Sequence, residues 1–320
     1  LSSRGGRATP LRIPAAEDAD REIVAGKALG ARLMLTCDPD FPAMFRALDP
    51  PPPVLWALGR VELLAGPAVA VVGARIASAA GQRFARGLAR DLGREGYIVV
   101  SGMARGVDRA AHEGALATGT VAVLAGGVDD VFPPENRDLY DQLIAQACIV
   151  SERLPGHRAK ARDFPRRNRL ISGLALAVVV VEAELRSGSL TTARLAAEQG
   201  REVLAVPGSP LDPRAKGTND LIRQGAALCE GVDDVLRAIS GLSSLREPDR
   251  GYGDGADPGG EDEIAALRDR IAELLSPTPT PHDELVRITA APAAMVYAAL
   301  TELALANRAE LLPGGLAVKA

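Results

Sequence analysis

An arginine stands in the glycine-rich turn of the segment VVGARIASAAG, residues 71–81, where it could bind a phosphate group. The segment is typical of a buried strand, a tight turn and the start of a helix, whose N-terminus attracts anions through free N–H groups and its dipole. A dinucleotide-binding loop would need a glycine in place of Arg75 and an acidic residue at the end of the next strand, which instead ends in Ser101-Gly102. The sequence therefore argues against NAD. It predicts a loop that binds one phosphate, with an ordinary exposed turn arginine as an equally good explanation.

A second candidate is the basic segment RLPGHRAKARDFPRRNRLISG, residues 153–173. Seven basic residues fall within seventeen positions and are opposed there only by Asp163. They are Arg153, Arg158, Lys160, Arg162, Arg166, Arg167 and Arg169. Because the whole chain has a formal net charge of -4, this local excess favours contact with several phosphates over a solvated loop balanced by acids elsewhere. Arg169 and Asn168 could also be structural.

Ser187, Gly188 and Ser189 form a third candidate, at the junction between a predicted strand and a predicted helix. Side chains of this kind can cap the helix and also donate to an anion. Capping alone would explain one or two of them.

Residues for acid–base or metal chemistry are sparse. His112 follows Asp108 by four positions on a predicted helix, but such a lone pair is more typical of a packed histidine than of a catalytic couple. The chain has three cysteines, far apart, and three histidines, so neither a metal site nor a disulfide framework is indicated. We expect no cofactor, no metal and no enzymatic activity.

The elements that must position these residues alternate from residue 68 onward. Six short apolar segments are typical of strands, namely AVAVVG, YIVVSG, TVAVLAGG, ACIVSE, LAVVVVEA and REVLAVPG. Helical patterns lie between strands at 79–94, 106–117, 136–146 and 189–199. This alternation predicts an α/β fold with an extended Rossmann-like, doubly wound and mostly parallel sheet. Ligands of such sheets bind along the carboxyl edge of the strands.

Composition divides the chain into four regions. Residues 1–65 are Pro-rich and predict an N-terminal remnant with an irregular strap, because prolines block regular structure. Residues 66–240 form the predicted sheet domain, and residues 241–261 are a Gly-, Pro- and Asp-rich linker. Residues 262–320 predict helices followed by two short strands, the order of a small winged-helix domain. Its eight acids against five basic residues disfavour the reading of duplex DNA and favour a regulatory or protein-contact module.

The hydrophobic content and the cysteines of the chain indicate its cellular compartment. Hydrophobic residues make up 47% of the chain, yet no run reaches the roughly 18 apolar residues of a membrane span. Together with the scattered cysteines, this predicts a soluble, cytoplasmic protein without membrane contact. Because the sequence begins with Leu1, we expect it to be a fragment.

The motifs of the sheet region resemble, in their order, those of the DprA/Smf family, DNA processing protein A. The matching segments are VVGAR, VVSGMARGVDRAAHEGAL, VAVLAGGVDDVFPPEN, SERLPG, FPRRNRLISGL, VVEAELRSGSLTTARLAAEQGREVLAVPG and GTNDLIRQGA. The resemblance implies sequence-independent binding and protection of single-stranded DNA, and loading of RecA onto that DNA in natural transformation and recombination. It also implies a homodimer, no enzymatic activity and a principal DNA contact at Arg75.

The residues expected to contact DNA lie on the carboxyl-edge turns and in the basic segment. They are Gly73, Ala74, Arg75, Ser78, Gly102, Arg105, Gly126, Gly127, Arg137, Arg166, Arg167, Asn168, Arg169, Ser187, Gly188 and Ser189. Family members often carry a basic residue where this chain has Pro134, so a contact expected there would move to Arg137 or be lost. Phe132, Tyr140 and Phe164 could stack on bases, but core packing explains each equally well. We therefore expect phosphate contacts to dominate binding and to make it strongly salt-dependent.

Two other functions are compatible with parts of the sequence. One is a nucleoside-phosphate-processing enzyme of the LOG, or lysine-decarboxylase-like, type, which shares a Rossmann-like fold with a glycine-rich edge. The nearest segments, AGGVDD and PGSPLD, lack the threonine and arrangement of the PGGxGT-type loop of such enzymes. The other is a transcription factor that uses the winged helix, which the acidic character of that region disfavours.

Overall fold

The computed structural model describes residues 15–245, 261–312 and 315–319 of the chain. Its internal contacts divide the chain into two units, Leu1–Glu247 and Pro248–Ala320. The first unit carries all the candidate DNA-contact residues.

The described part of the first unit contains one nine-stranded sheet with helices on both faces. The strands are β1 (Arg32–Leu35), β2 (Val54–Gly59), β3 (Ala68–Gly73), β4 (Ile98–Ser101), β5 (Thr120–Val123), β6 (Cys148–Ser151), β7 (Ala177–Glu182), β8 (Glu202–Ala205) and β9 (Ala227–Leu228). The helices are α1 (Ala16–Ala28), α2 (Ala43–Arg46), α3 (Ala79–Arg94), α4 (Val107–Ala115), α5 (Arg137–Gln146), α6 (Asp163–Leu174), α7 (Gly188–Glu198), α8 (Lys216–Arg223) and α9 (Val232–Leu245).

The strand order is β1-β2-β6-β5-β4-β3-β7-β8-β9. Strands β3 to β9 pair in parallel with their neighbours, whereas β1 with β2 and β2 with β6 are antiparallel. The predicted doubly wound, mostly parallel α/β sheet is therefore confirmed. After β3 the chain winds toward β4, and after β7 it winds toward β8, so a crevice opens between the carboxyl ends of β3 and β7.

The central strand β3 shows why an apolar run folds in this way. Val69 and Val71 enter one core with Leu88 of α3, whereas Ala70 and Val72 enter a second core with Leu170 of α6. Because successive side chains of a strand point to opposite faces, a strand covered by helices on both sides must be apolar throughout.

The prediction of an irregular strap over residues 1–65 does not hold for the described residues 15–65. Val54–Gly59 is a strand that pairs antiparallel with β6, and Arg32–Leu35 pairs with that strand in turn. The prolines precede the segment VLWALG, so its own N–H groups remain free for the sheet. Leu55 and Trp56 are fully buried, so the expected packing of these side chains onto the main domain is correct.

The helix α9 runs from Val232 to Leu245, so it extends five residues past the predicted boundary at residue 240. The remainder of the predicted linker, residues 246–260, lies outside the described residues.

The second unit has the order of elements expected for a winged helix. It comprises α10 (Glu261–Leu274), β10 (Thr280–Pro281), α11 (His282–Thr289), α12 (Ala293–Leu305), β11 (Ala309–Leu312) and β12 (Leu316–Lys319). Its three strands pair in the order β10-β12-β11, and Leu285, Val296 and Leu300 lie in its core. β10 was missed in the sequence because it is only two residues long.

Among the described residues no single helix is long and apolar enough to cross a membrane. Within the same residues, α11 and α12 taken together have the length and apolar composition of a membrane span, but they are bent by 116° at the break between them.

Candidate nucleic-acid interface

A cleft of about 760 Å³ opens at the crevice between β3 and β7. One wall is the β3–α3 turn, the opposite wall is the β7–α7 turn, and α6 closes the space between them. Eight of the predicted contact residues line it, namely Gly73, Ala74, Arg75, Arg167, Asn168, Ser187, Gly188 and Ser189. Residues as far apart in the chain as Gly73 and Ser189 thus meet at one site.

Arg75 is exposed in this cleft, and its guanidinium carbon lies 5.4 Å from the ring centre of Phe164. Within the described part of the chain it makes no hydrogen bond or ion pair. Its loop is nevertheless held firmly, because the N–H of Val107 donates to the carbonyl of Ala74 at 3.2 Å. Gly106 has φ 74° and lies so close to the Ala74 carbonyl that a Cβ would collide with it. An unpaired cation on a fixed loop is well suited to a phosphate.

Two aromatic rings lie beside Arg75. Phe132 and Phe164 are 5.3 Å apart between ring centres and tilted by 58°, and Phe132 is 46% exposed. Tyr140, by contrast, is buried and donates to the carbonyl of Val128 at 2.8 Å. Of the three aromatic candidates, two therefore have a place where a base could stack.

The opposite wall is the N-terminus of α7. The Ser187 hydroxyl accepts from the N–H of Ser189 at 3.3 Å and lies 2.7 Å from the Ser189 hydroxyl. Asn168 of α6 donates to the Gly188 carbonyl at 3.3 Å and so joins this turn to α6. Space is open around Gly188, and the exposed Arg186 lies on the cleft without an ion pair among the described residues. The sequence interpretation missed Arg186, although its position next to Ser187 could have identified it.

The sequence interpretation expected Ser78 to contact a phosphate, but Ser78 is already hydrogen-bonded within the protein. Glu182, the last residue of β7, accepts from the Ser78 N–H at 2.8 Å and from its hydroxyl at 2.5 Å. The Ser78 hydroxyl in turn accepts from the N–H of Gly81 at 2.9 Å, which caps α3. A Cβ on Gly81 would lie 2.6 Å from the Glu182 carboxyl carbon. The N-terminus of α3 thus already holds an anion, a carboxylate of its own chain.

Replacement of Ser78 by alanine should therefore lower stability and leave DNA affinity nearly unchanged. We expect a loss of about 1 kcal/mol in the free energy of unfolding, the usual effect of a lost N-cap. Urea denaturation and anisotropy with labelled oligo-dT would measure the two quantities. A large loss of affinity in a folded Ser78→Ala protein would show that Ser78 contacts the DNA.

Three glycines expected at the surface are buried instead. A Cβ on Gly102 would meet the Arg167 guanidinium, one on Gly126 would meet the Asp130 side chain, and one on Gly127 would lie 2.6 Å from Asp129. These glycines permit close packing beneath the carboxyl edge and do not face the cleft, which corrects the expectation that they contact phosphate.

The basic segment does not act as one surface, because helix geometry separates its residues. Asn168 lines the cleft, Arg166 and Arg169 line a separate cavity of about 480 Å³, and Arg167 borders both. Arg167 itself is buried, 7% exposed, which contradicts its expected role as a direct contact.

Acidic residues distant in sequence also neutralise part of the segment. Arg158 pairs with Asp130 at 3.0 Å, and Arg169 pairs with Glu152. Among the described residues, Lys160, Arg162 and Arg166 make no ion pair and are exposed. The local excess of positive charge is therefore smaller than the sequence suggested.

Asp163, the first residue of α6, holds the basic segment together. Its buried carboxylate accepts from His157 at 3.0 Å, from the Lys160 N–H at 3.0 Å and from Arg153 at 2.6 Å. The hydrogen bond from His157, followed by that from Lys160, lowers the pKa of Asp163 from 3.8 to about 2.

Arg105 and Arg137 lie apart from the cleft. Arg105 is 3.6 Å from Glu135, and Arg137 pairs with Asp141 at 3.1 Å on α5. Neither lines the cleft, so the structure does not bring these two predicted contacts to the site of Arg75.

Asp108 and His112 use different partners. Asp108 accepts from the N–H groups of Gly102 at 3.1 Å and Ala104 at 3.3 Å, whereas the His112 Nδ1 lies 2.8 Å from the Thr120 hydroxyl. Complete burial lowers the pKa of His112 to about 3 and keeps it neutral. His112 is the packed histidine that the sequence favoured. In the described ranges no cluster of side chains has the composition of a metal site.

Comparison with known proteins agrees with this architecture. A family model described as DNA recombination-mediator protein A matches residues 32–240, and a model of the DprA winged helix domain matches residues 255–315. The DNA processing protein DprA of Bacillus subtilis is 37% identical over 222 residues, which cover 68% of this chain and 75% of that protein. Protein Smf of Synechocystis is 38% identical over 214 residues, 65% of this chain but only 54% of its relative.

Two solved structures share the fold. DNA processing protein A from Streptococcus pneumoniae has a TM-score of 0.62 at 38% identity, over 64% of this chain and 73% of that chain. DNA processing protein A from Helicobacter pylori, in a structure concerned with its single-stranded DNA binding mode, has a TM-score of 0.59 at 29% identity. The match covers 67% of this chain and 96% of that chain. The resemblance inferred from the motifs is thereby confirmed, and the chain belongs to the DprA/Smf family of DNA recombination-mediator proteins.

Proposed function

We propose that this chain binds and protects single-stranded DNA without sequence preference, in the cleft between β3 and β7. The observation that carries the proposal is Arg75, an exposed cation without an ion pair among the described residues, fixed over the ring of Phe164 at 5.4 Å. A guanidinium beside an aromatic face provides one phosphate contact and one stacking surface within the reach of a single nucleotide. The homologous Helicobacter pylori structure concerns single-stranded DNA binding and supports the same ligand.

The cleft favours a single strand over a duplex. Phe132 and Phe164 offer ring faces and edges at the wall of a cleft of about 760 Å³. The bases of a duplex are stacked inside and paired, so they cannot reach such a ring without unstacking. An unpaired strand can present a base to the ring and a phosphate to Arg75 at once.

The same groups account for tolerance of sequence. The groups that would contact phosphates are Arg75, Arg186 and the N-terminus of α7. Every base has a face that can stack on an aromatic ring. Readout of sequence would require side chains aimed at base edges. The protein is accordingly proposed to bind through charge and stacking.

Loading of RecA and assembly as a homodimer belong to the same proposal. Their support is membership of a family described as recombination mediators. RecA-dependent strand pairing on DNA precoated with a single-strand binding protein should start sooner when this chain is added, and sedimentation should give twice the mass of one chain. A monomer that leaves the RecA lag unchanged would contradict both parts.

The first test is affinity for single-stranded DNA. In fluorescence anisotropy, labelled oligo-dT should bind more tightly than a duplex of equal length, and affinity should fall linearly with salt on logarithmic axes. Oligo-dA and oligo-dC should bind with similar affinity. Preference for the duplex, or an affinity insensitive to salt, would contradict the proposal. Release of free base from nucleoside monophosphates would favour the enzymatic alternative.

A further inference from the structure

Arg167 belongs to the basic segment but is used inside the protein. The residue is 7% exposed, and its Nη1 donates to the carbonyl of Gly102 at 2.8 Å and to the carbonyl of Val123. Gly102 directly follows β4 and Val123 is the last residue of β5, so one guanidinium joins α6 to the carboxyl ends of two neighbouring strands. Transfer of Arg167 to a phosphate would leave two buried carbonyls without a donor, which is unfavourable.

Gly102 is matched to this arginine. A Cβ at Gly102 would lie 2.7 Å from Nη1 and 2.8 Å from the guanidinium carbon of Arg167, and its three nearest atoms all belong to that guanidinium. Gly102 is absent from the residues with positive φ, so its backbone conformation does not by itself require glycine. The space occupied by Arg167 is what excludes a side chain.

Arg167 also contacts the residues that form the cleft. Its guanidinium carbon lies 5.9 Å from the ring centre of Phe164, the same ring that Arg75 approaches to 5.4 Å. Its Nε donates to the Asn168 side chain at 3.3 Å, and Asn168 continues to the α7 turn. Burial lowers the pKa of Arg167 to about 10, with the Asp108 carboxylate acting in the opposite direction, so the guanidinium stays charged at neutral pH.

We propose that Arg167 is a positioning residue, which fixes Phe164 and the ends of β4 and β5 so that the ring and Arg75 face the DNA together. It does so without touching DNA. This inference rests on the proposed function. The two arginines of the cleft thus have different roles, Arg75 as a direct contact of the DNA strand and Arg167 as an internal support.

The salt dependence of binding distinguishes the two roles. Arg167→Met, in the full chain, should lower affinity for oligo-dT about five- to tenfold, the effect of losing a desolvated cation–π contact that holds the ring. The slope of log affinity against log salt should remain that of the unaltered protein, because no phosphate contact is lost. Arg75→Ala should instead reduce the magnitude of this slope by about 0.7, the value for one phosphate of a single strand.

Two further variants test whether the loss of affinity in Arg167→Met comes merely from misfolding. Asp108→Asn/Arg167→Met removes both of these buried charges and leaves an acceptor for the Gly102 and Ala104 N–H groups, so no lone buried charge remains. Gly102→Ala keeps both charges and displaces the guanidinium. Each should give weaker binding with an unchanged salt slope, and Gly102→Ala should be better tolerated in the Arg167→Met protein than in the unaltered one.

Three results would overturn the assignment. These are unchanged affinity in folded Arg167→Met, a reduced salt slope like that of Arg75→Ala, or equal effects of Gly102→Ala in both backgrounds. Failure of the unaltered chain to bind oligo-dT would overturn the proposed function and this inference with it. Binding by the unaltered chain together with any of the three results would overturn this inference alone.

Discussion

Replacement of Arg75 by alanine should cost about 1.5 to 3 kcal/mol of binding free energy for oligo-dT, a loss of about 10- to 150-fold in affinity. The reason is that Arg75 is exposed, makes no ion pair among the described residues and is held by a loop that Val107 and Gly106 fix. No internal partner would therefore be orphaned by its removal, and the whole loss should appear in DNA binding. Anisotropy at two salt concentrations would measure both affinity and salt slope.

Two controls make this measurement specific. Arg237→Ala removes another exposed arginine, on α9, whose ion pair in the described part of the chain is with the neighbouring Asp234 at 3.1 Å, and should change affinity little. Arg75→Lys keeps the charge but loses the planar group over Phe164, so it should retain most of the salt slope and only part of the affinity. Equal affinities for Arg75→Ala and the unaltered protein would make Arg75 an ordinary turn residue and remove the main support of the proposed function.

Replacement of Asp163 by asparagine should have the largest effect on stability, about 2 to 3 kcal/mol in the free energy of unfolding at pH 7. Its buried carboxylate accepts hydrogen bonds from His157, Lys160 and Arg153, and an amide can satisfy only some of these donors. Asp141→Asn on α5 is a matched control, because that carboxylate is exposed and, among the residues the structure describes, forms an ion pair with Arg137 alone. We expect the control to change stability by less than about 0.5 kcal/mol.

The effect of Asp163 should depend on pH in a defined direction. Its pKa is lowered in the folded protein from 3.8 to about 2, chiefly by the hydrogen bond from His157. A carboxyl group with a depressed folded pKa stabilises the protein above its ordinary pKa and loses that contribution as pH falls toward the folded value. The free energy of unfolding of the unaltered protein should therefore exceed that of Asp163→Asn by a constant amount from pH 7 down to about pH 4, and by a smaller amount at pH 3. Urea denaturation at pH 7, 4 and 3 would measure this difference. A difference that grows as pH falls would contradict this account.

Much of the main fold was predictable from local sequence. The segments AVAVVG and LAVVVVEA became the central strands β3 and β7, because an uninterrupted apolar run can be buried on both faces of a parallel sheet. The helix predicted at 79–94 has the same bounds in the structure. The strand β2 was missed because its partner β6 lies about 90 residues later in the chain and nearby prolines obscured the pattern, and β1, which pairs with β2, was missed with it.

The candidate site was predictable only in part. Sequence alone singled out Arg75 and the Ser187 turn, since a glycine-rich strand–helix junction has a recognisable local pattern. It could not show that Glu182, 104 residues after Ser78, occupies the anion position at α3. Nor could it show that two adjacent arginines of one motif differ, because Arg166 is exposed whereas Arg167 is buried and donates to the carbonyls of Gly102 and Val123.

The sequence by itself thus determined the fold class, the position of the candidate site at the carboxyl edge and Arg75 as its candidate contact, because each depends on neighbouring residues. The tertiary structure decided which charges lack an internal partner among the described residues. Charge in a folded protein is neutralised by partners distant in the chain, as Asp130 neutralises Arg158 and Glu152 neutralises Arg169, and burial turns Arg167 inward. A count of basic residues along the chain carries no information about those partners.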